Sequence, residues 1–289
     1  MNLDAIRARS RIVSEIRRFF DGRGFLEVET PVRIAAPAPE PHIDCPRVAT
    51  GGFLRASPEL QMKKLLAAGL DKIYQLGPCF REGERGSRHN PEFTMLEWYR
   101  RNATYRDIAD DLSQMLASCG WLQEVQCRWP GCARPTWLPV REAYKRFAGW
   151  DPWQGDWDGD RFDFDMAVKI EPALKGMGCV FLADYPPQCA SLAKISGDVA
   201  ERWEFYCDGL ELANCFTELC DGEEQRRRFD AARTERRALG EDDYPIDDEF
   251  LAALDAIGSA AGVALGIDRL VMLITGVTEI SQVRVPENG

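Results

Sequence analysis

The chain has no run of about 18 consecutive apolar residues, so nothing in it reads as a membrane-spanning helix. Its first ten residues, Met1 to Ser10, are charged and helical in pattern. They lack the apolar centre of a secretion signal, which predicts a cytoplasmic protein. No Walker loop, no Gly-x-Gly-x-x-Gly and no internal repeat occurs, which argues against the common nucleotide-binding α/β classes and repeat architectures. Histidine is nearly absent, with only His42 and His89 in 289 residues. The ten cysteines have no zinc-type spacing: Cys127/Cys132 and Cys215/Cys220 are each five apart, with no histidines nearby. Reduced, mostly buried thiols are expected, with a structural zinc as the alternative. Positive charge is in deficit. A net charge of −11 and a pI near 4.9 argue against sequence-independent binding to nucleic acid, leaving a local basic patch open. An acidic protein suits a cationic substrate or a basic segment of a partner.

What is present is ordinary globular composition, 45% hydrophobic and 29% charged, enough to bury a sizeable core. Apolar residues at helical spacing predict a helix over 4–23, followed by a short strand from Phe25 to Val28 that Pro31 closes. Residues 32–52 read as a loop. A helix over 58–70 with Pro58 near its start comes next, then two strands over 73–79 and 91–99 joined by an arginine-rich loop, then a helix over 105–119. Residues 121–160 hold six of the eight tryptophans and one helix over 140–147. They read as an insertion or a linking helical segment. Asp208-Gly209 between two strand-like runs signals a type I′ hairpin. The arginine-rich helix over 222–239 reads as a solvated face. Helix, strands, helix, antiparallel strands and helix make an α+β order, and one domain over 1–289 is expected.

Three segments can carry chemistry. The last, Gly262-Val263-Ala264-Leu265-Gly266-Ile267-Asp268-Arg269-Leu270-Val271-Met272-Leu273, reads as a strand running into an apolar helix, with Arg269 in the first turn. A cation there faces the positive end of the helix dipole, which makes sense if a polyphosphate lies between them. A core helix with a solvated arginine is the plain alternative. In the strand over 93–99, Phe93, Met95, Glu97 and Tyr99 share one face. A buried Glu97 needs a partner, and a bound ammonium would serve. If Asp208-Gly209 is a two-residue turn, Tyr206 faces Glu211 and Glu204 faces Ala213. Glu204 and Glu211 then lie diagonally on one face, a carboxylate pair suited to Mg²⁺ or simply solvated. Asn214, Phe216 and Glu218 have the opposite parity to Glu211, so a bulge between them is needed to aim all these groups at one site.

Phe25-Leu26-Glu27-Val28-Glu29-Thr30-Pro31, the stretch from Tyr74 to Tyr99 and the segment 262–273 resemble motifs 1, 2 and 3 of the class II aminoacyl-tRNA synthetases, in that order. The run His89-Asn90-Pro91-Glu92-Phe93-Thr94-Met95-Leu96-Glu97 is most similar to the lysyl branch. The resemblance covers nearly the whole chain. It implies the class II catalytic fold, a six- to seven-stranded antiparallel sheet flanked by helices, and a homodimer formed through the motif 1 region.

The resemblance also implies roles. Arg81 and Asn214 hold the substrate carboxylate, and Arg81 meets the α-phosphate of ATP. Glu59, in Ala56-Ser57-Pro58-Glu59-Leu60, receives the backbone-side amine, and Ser57 lies in the substrate site. Glu97, Tyr99 and Glu218 surround the ε-ammonium, and Ala264 and Gly266 line the substrate. Phe93 stacks on adenine, Glu84, His89, Asn90 and Arg269 belong to the ATP site, and Glu204 and Glu211 bind Mg²⁺. Arg81 and Arg269 carry the chemistry, because adenylation rests on positioning and charge neutralisation. Motif 1 starts at residue 25 with one helix before it, which leaves no room for an anticodon-binding domain, so no contact with a tRNA anticodon is expected.

The chain is similar to stand-alone paralogues of the lysyl branch that modify translation elongation factor P with lysine or (R)-β-lysine. Glu97-Trp98-Tyr99, the run 186–193 and Ala264, a glycine in the tRNA enzymes, carry that likeness. Three positions depart from the family. Gly83 stands where the motif 2 glutamate is usual, leaving Glu84 to substitute. Cys215 replaces a glycine, and the loop Pro39-Glu40-Pro41-His42 differs. Another lysine-like substrate, a ligase loading tRNA or a small amine, and a non-catalytic amino acid or adenylate sensor stay open as alternatives.

Overall fold

A computed structural model describes residues 2–118 and 134–285. The pair Cys127/Cys132 and part of the tryptophan-rich stretch lie outside the described residues. The first helix, α1 (Leu3–Asp21), is capped by the Asn2 side chain, which accepts from the Asp4 and Ala5 amides. Its Ala5, Ile12, Ile16 and Phe20 form the buried stripe. Helices α2 (Glu59–Ala67) and α3 (Tyr105–Ser118) fall where the apolar periodicity puts them. The helix expected over 140–147 runs Val140–Ala143 and then widens into a π-helical turn, Tyr144–Ala148, closed by Gly149 at φ 78°.

The main sheet has nine strands, β1 (Leu26–Glu27), β4 (Lys72–Phe80), β5 (Glu92–Arg101), β6 (Thr136–Pro139), β7 (Cys179–Tyr185), β8 (Ile195–Ser196), β9 (Val199–Cys207), β10 (Leu210–Thr217) and β11 (Ala260–Gly266). Their order is β1-β4-β5-β11-β10-β9-β7-β6, with β8 on β9. The middle strands from β4 to β7 pair antiparallel throughout. At the edges β1 runs parallel to β4 and β6 parallel to β7. The antiparallel sheet expected from the sequence is therefore the centre of a wider, mixed one. The edge strand β1 lies within the strand expected from Phe25 to Val28, and the other edge strand, β6, is four residues long, too short to show an alternating pattern. The loop expected over 32–52 gains a small separate ribbon, β2 (Arg33–Ile34) on β3 (Phe53–Leu54).

Alternation along the central strands divides polar from apolar. Leu96 and Trp98 on β5, Cys215 on β10, Val263 and Leu265 on β11, and Trp203 and Phe205 on β9 point to one side. There they pack with α1, α3 and the terminal helix Ile267–Thr275 in the largest core cluster. The intervening residues face the other side. Two smaller cores flank that face. One gathers α2 with the helices Gly222–Leu239 and Asp248–Leu254, and the other gathers Tyr144, Phe162, Tyr185 and Tyr206. The sheet face between them opens as a cleft.

Candidate active site

The cleft is lined from β5, β10, β11, the start of α2 and the loops beside them. Every residue given a substrate, ATP or metal role in the sequence lines it except Glu204, which lies beside it on β9, while the departing Cys215 faces the core on the other side of the sheet. Two local features aim the strands. Asp208 and Gly209 both have positive φ, 49° and 75°, and form the expected hairpin turn. Past the turn Glu211 pairs with Tyr206, as expected, but the register then slips between Glu211 and Ala213, so Glu204 faces Asn214 and not Ala213. This is the bulge the parity argument required, and the extra residue corrects the pairing assigned to Glu204.

One end of the cleft is built for cations. Glu97 is fully buried, accepting from Ser57 Oγ at 2.6 Å and Tyr99 Oη at 2.9 Å. Burial and then the nearby Glu59 carboxylate push its pKa up to about 7. Tyr99 lies across β11 at Gly262, where a Cβ would come within 2.1 Å of the ring, so only glycine lets the phenol reach Glu97. Glu218, 3% exposed, is pushed up to about 8 by burial. The sequence reading missed Lys63, whose ammonium sits between Glu59 Oε1 at 2.6 Å and Glu218 Oε2 at 2.5 Å. Burial alone would lower its pKa, but the two carboxylates outweigh that and raise it. Its signal was present: Lys63 lies one helical turn beyond Glu59 on α2. Glu40, from the departing loop, also reaches the cleft with no hydrogen-bonded partner for its carboxylate among the described residues. Burial and then Glu59 raise its pKa.

The opposite end is built for anions. The Arg81 guanidinium lies 5.4 Å from the Phe93 ring centroid and 3.4 Å from Glu84, and its Nε is buried without a hydrogen-bond partner. Gly83 takes the left-handed conformation, φ 77°, so the loop turns there and the carboxylate arrives one residue later, at Glu84. Arg269 stands in the first turn of the helix Ile267–Thr275, as expected. It donates to the Glu211 carbonyl and carboxylate, both at 3.0 Å, and meets His89 Nε2 at 2.6 Å. Arginine only donates, so His89 Nε2 accepts and the ring proton sits on Nδ1. Burial and then Arg269 lower the His89 pKa, keeping it neutral. Asp268, also unforeseen, accepts from Arg9 and from the Thr94 amide at 2.7 Å, tying this helix to α1 and β5. The Asn90 amide donates to the Glu92 carbonyl at 2.7 Å. A Cβ at Gly266 would meet only ordinary contacts, with the Arg269 side chain and the Leu212 carbonyl at 3.9 Å.

Between the two ends, burial and then Glu204 raise the Glu211 pKa. Two carboxylates on the paired strands β9 and β10, both hard oxygen donors, fit a divalent cation such as Mg²⁺. Glu204 Oε1 accepts from Arg202 at 2.6 Å and Oε2 from the Tyr206 hydroxyl at 2.7 Å, so its carboxylate is already oriented. The Glu204–Tyr206 bond follows from their i, i+2 placement on β9.

The model for tRNA synthetases class II (D, K and N) matches residues 2–286. A protein of Proteus mirabilis (strain HI4320) named elongation factor P–(R)-β-lysine ligase is 40% identical over 313 residues, covering 95% of this chain and 92% of its own. Its namesakes in Histophilus somni (strain 2336) and Actinobacillus succinogenes are 39% and 38% identical, covering 96% and 98% of this chain and 92% and 94% of theirs.

Proposed function

The chain belongs to the class II tRNA synthetases (D, K and N), and from that premise we propose that it is an ATP-dependent ligase that activates lysine or (R)-β-lysine and transfers it to a lysine side chain of translation elongation factor P. The ligase names of the relatives support the reaction. The observation that carries the reading for this chain is the division of charge in the cleft. At one end three buried or nearly buried carboxylates, Glu59, Glu97 and Glu218, stand against the single ammonium of Lys63. Fully ionised, they leave a surplus of two negative charges, which suits a substrate with two ammonium groups. At the other end Arg81 keeps a buried donor free for an anion.

In the proposed first step the substrate carboxylate attacks the α-phosphorus of ATP, forming the mixed anhydride and releasing pyrophosphate. Arg81 spans the carboxylate and the α-phosphate and neutralises charge as it shifts between them. Asn214 donates to the carboxylate, Glu59 takes the amine on the backbone side, and Glu97, Tyr99 and Glu218 hold the far ammonium. Phe93 stacks on adenine, and Arg269 with neutral His89 faces the terminal phosphates. Glu84 steadies Arg81. Glu204 and Glu211 would hold Mg²⁺, which when bound supplies charge neutralisation for the polyphosphate. In the second step the acceptor amine attacks the anhydride carbonyl, and AMP leaves with its phosphate available to take the proton.

A cytoplasmic homodimer without tRNA anticodon contact belongs to the same proposal, as does a single catalytic unit. The exposed Leu3 and Leu26 near motif 1 support a dimer there, which light scattering would test. Among the described residues no helix is long and apolar enough to cross a membrane. The deciding experiment is ATP–pyrophosphate exchange with α-lysine, (R)-β-lysine or no amino acid, then mass analysis of elongation factor P after incubation. Exchange stimulated by β-lysine with a matching mass gain upholds the proposal. Exchange with α-lysine and no mass gain points to another acceptor, and no exchange with either supports a sensor.

A further inference from the structure

Arg202, on the cleft-facing side of β9, takes part in none of the steps above. It is enclosed between two rings, its guanidinium carbon 4.4 Å from the Tyr185 centroid and 5.7 Å from that of Phe216. Each of its nitrogens has a use. Nη1 donates to the Cys189 carbonyl at 2.9 Å, Nη2 to Glu204 Oε1 at 2.6 Å and Nε to Asn214 Oδ1 at 3.2 Å. The contact with Asn214 settles a question of polarity. A side-chain amide has an accepting oxygen and a donating NH₂, and either could face a ligand. A guanidinium has donors only, so the amide oxygen must turn toward Arg202. The NH₂ is then the half left for the cleft, and it has no partner among the described residues. A donor in that position attracts a carboxylate and repels an ammonium.

We infer that Arg202 is a positioning residue that fixes the Asn214 amide with its donor toward the cleft, and thereby decides at which end the carboxylate of the amino acid lies. The inference rests on the proposed role of Asn214. The same guanidinium grips Glu204, so the carboxylate holder and the metal ligand opposite it on the hairpin are set as one unit. The bulge makes this possible, because it is the slip in register that brings Asn214 opposite Glu204. Lysine cannot do the same work. It is a point donor on a flexible stem and cannot serve three acceptors in one plane.

The test compares wild type with Arg202→Met and Arg202→Lys at saturating ATP and Mg²⁺. One measurement is KM for lysine or β-lysine in pyrophosphate exchange. The other is inhibition by 1,5-diaminopentane, which keeps two ammonium groups and lacks the carboxylate. Losing a charge-oriented hydrogen bond predicts a rise in amino acid KM of about tenfold or more in Arg202→Met, a smaller rise in Arg202→Lys, and diamine inhibition unchanged within about twofold. Parallel weakening of amino acid and diamine would assign Arg202 to structure alone, and an unchanged KM would also overturn the inference. If Arg202→Met does not fold, Arg202→Lys decides by the same comparison. A wild-type protein with no exchange for any lysine removes the proposed function itself, and this inference with it, before any variant is considered.

Discussion

Glu97 and Glu218 hold protons that ordinary carboxylates give up near 4.5, Glu97 to about pH 7 and Glu218 to about 8. A bound ammonium needs them ionised. The amino acid KM is therefore expected to fall as pH rises from about 6 to 8, below the range where lysine itself deprotonates. Glu97→Gln should flatten the lower part of that profile, and pH-dependent exchange kinetics would check it. The same shifts act on stability with the opposite sense. Between pH 4.5 and 8 the free folded protein binds more protons than the unfolded chain, so the contribution of these groups is greatest at low pH and is lost as pH rises. For Glu97 alone the loss approaches ~3 kcal/mol. Calorimetry should find a shallower decline in Tm from pH 5.5 to 8 in Glu97→Gln than in wild type. At the phosphate end, Arg269→Ala removes the cation that pairs with Glu211 and should abolish exchange. Undiminished turnover would remove Arg269 from the phosphate site.

At the level of elements, the hairpin β9–β10 and the crossing of β5 with β11 decide the site. Leu212, the extra residue of the bulge, is what puts Asn214 on the same face as Glu211 and opposite Glu204. Gly262→Ala places a methyl 2.1 Å from the Tyr99 ring and should cost about 1–3 kcal/mol in urea denaturation, with a raised KM for the amino acid. Much of this was legible beforehand. The Asp208-Gly209 turn, the face shared by Phe93, Met95, Glu97 and Tyr99, and the need for a bulge follow from side-chain parity. The direction of the slip did not, so Glu204 was paired with the wrong residue. The short strands β6 and β8 left no trace because two to four residues cannot establish a period, whereas β1 falls inside the strand expected from Phe25 to Val28.

Across the whole molecule, the cleft depends on contacts between distant parts of the chain. Arg236, fully buried on the helix Gly222–Leu239, donates to the Glu40 carbonyl at 2.7 Å, the Ile43 carbonyl at 3.2 Å and Asp44 Oδ1 at 2.6 Å. Tyr244 closes the arrangement, accepting from the Cys45 amide at 2.9 Å. The sequence presented that helix as a solvated arginine-rich face. Arg226 and Arg227 fit that description, while Arg236 instead fastens the loop that carries Glu40. Nothing in local spacing distinguishes them, because the partners lie nearly 200 residues away. Arg236→Met leaves buried carbonyls and Asp44 without their donor and should lower stability by about 3 kcal/mol or more. Thermal denaturation would measure the loss, and wild-type stability would contradict the role. Lys63 was hidden for a related reason: Glu59 is local, but Glu218 comes from beyond β10.

The ammonium between Glu59 and Glu218 bears on a hazard peculiar to the proposed chemistry. A protein that makes an acyl adenylate and delivers it to a lysine amine holds an acylating agent beside its own Lys63. Amines react through the unprotonated lone pair, and two carboxylates keep Lys63 protonated and enclosed. The bridge that orders the pocket therefore also shields the protein from acylating itself. With ATP and lysine present and no acceptor, peptide mapping should find exposed lysines such as Lys145 modified while Lys63 stays intact.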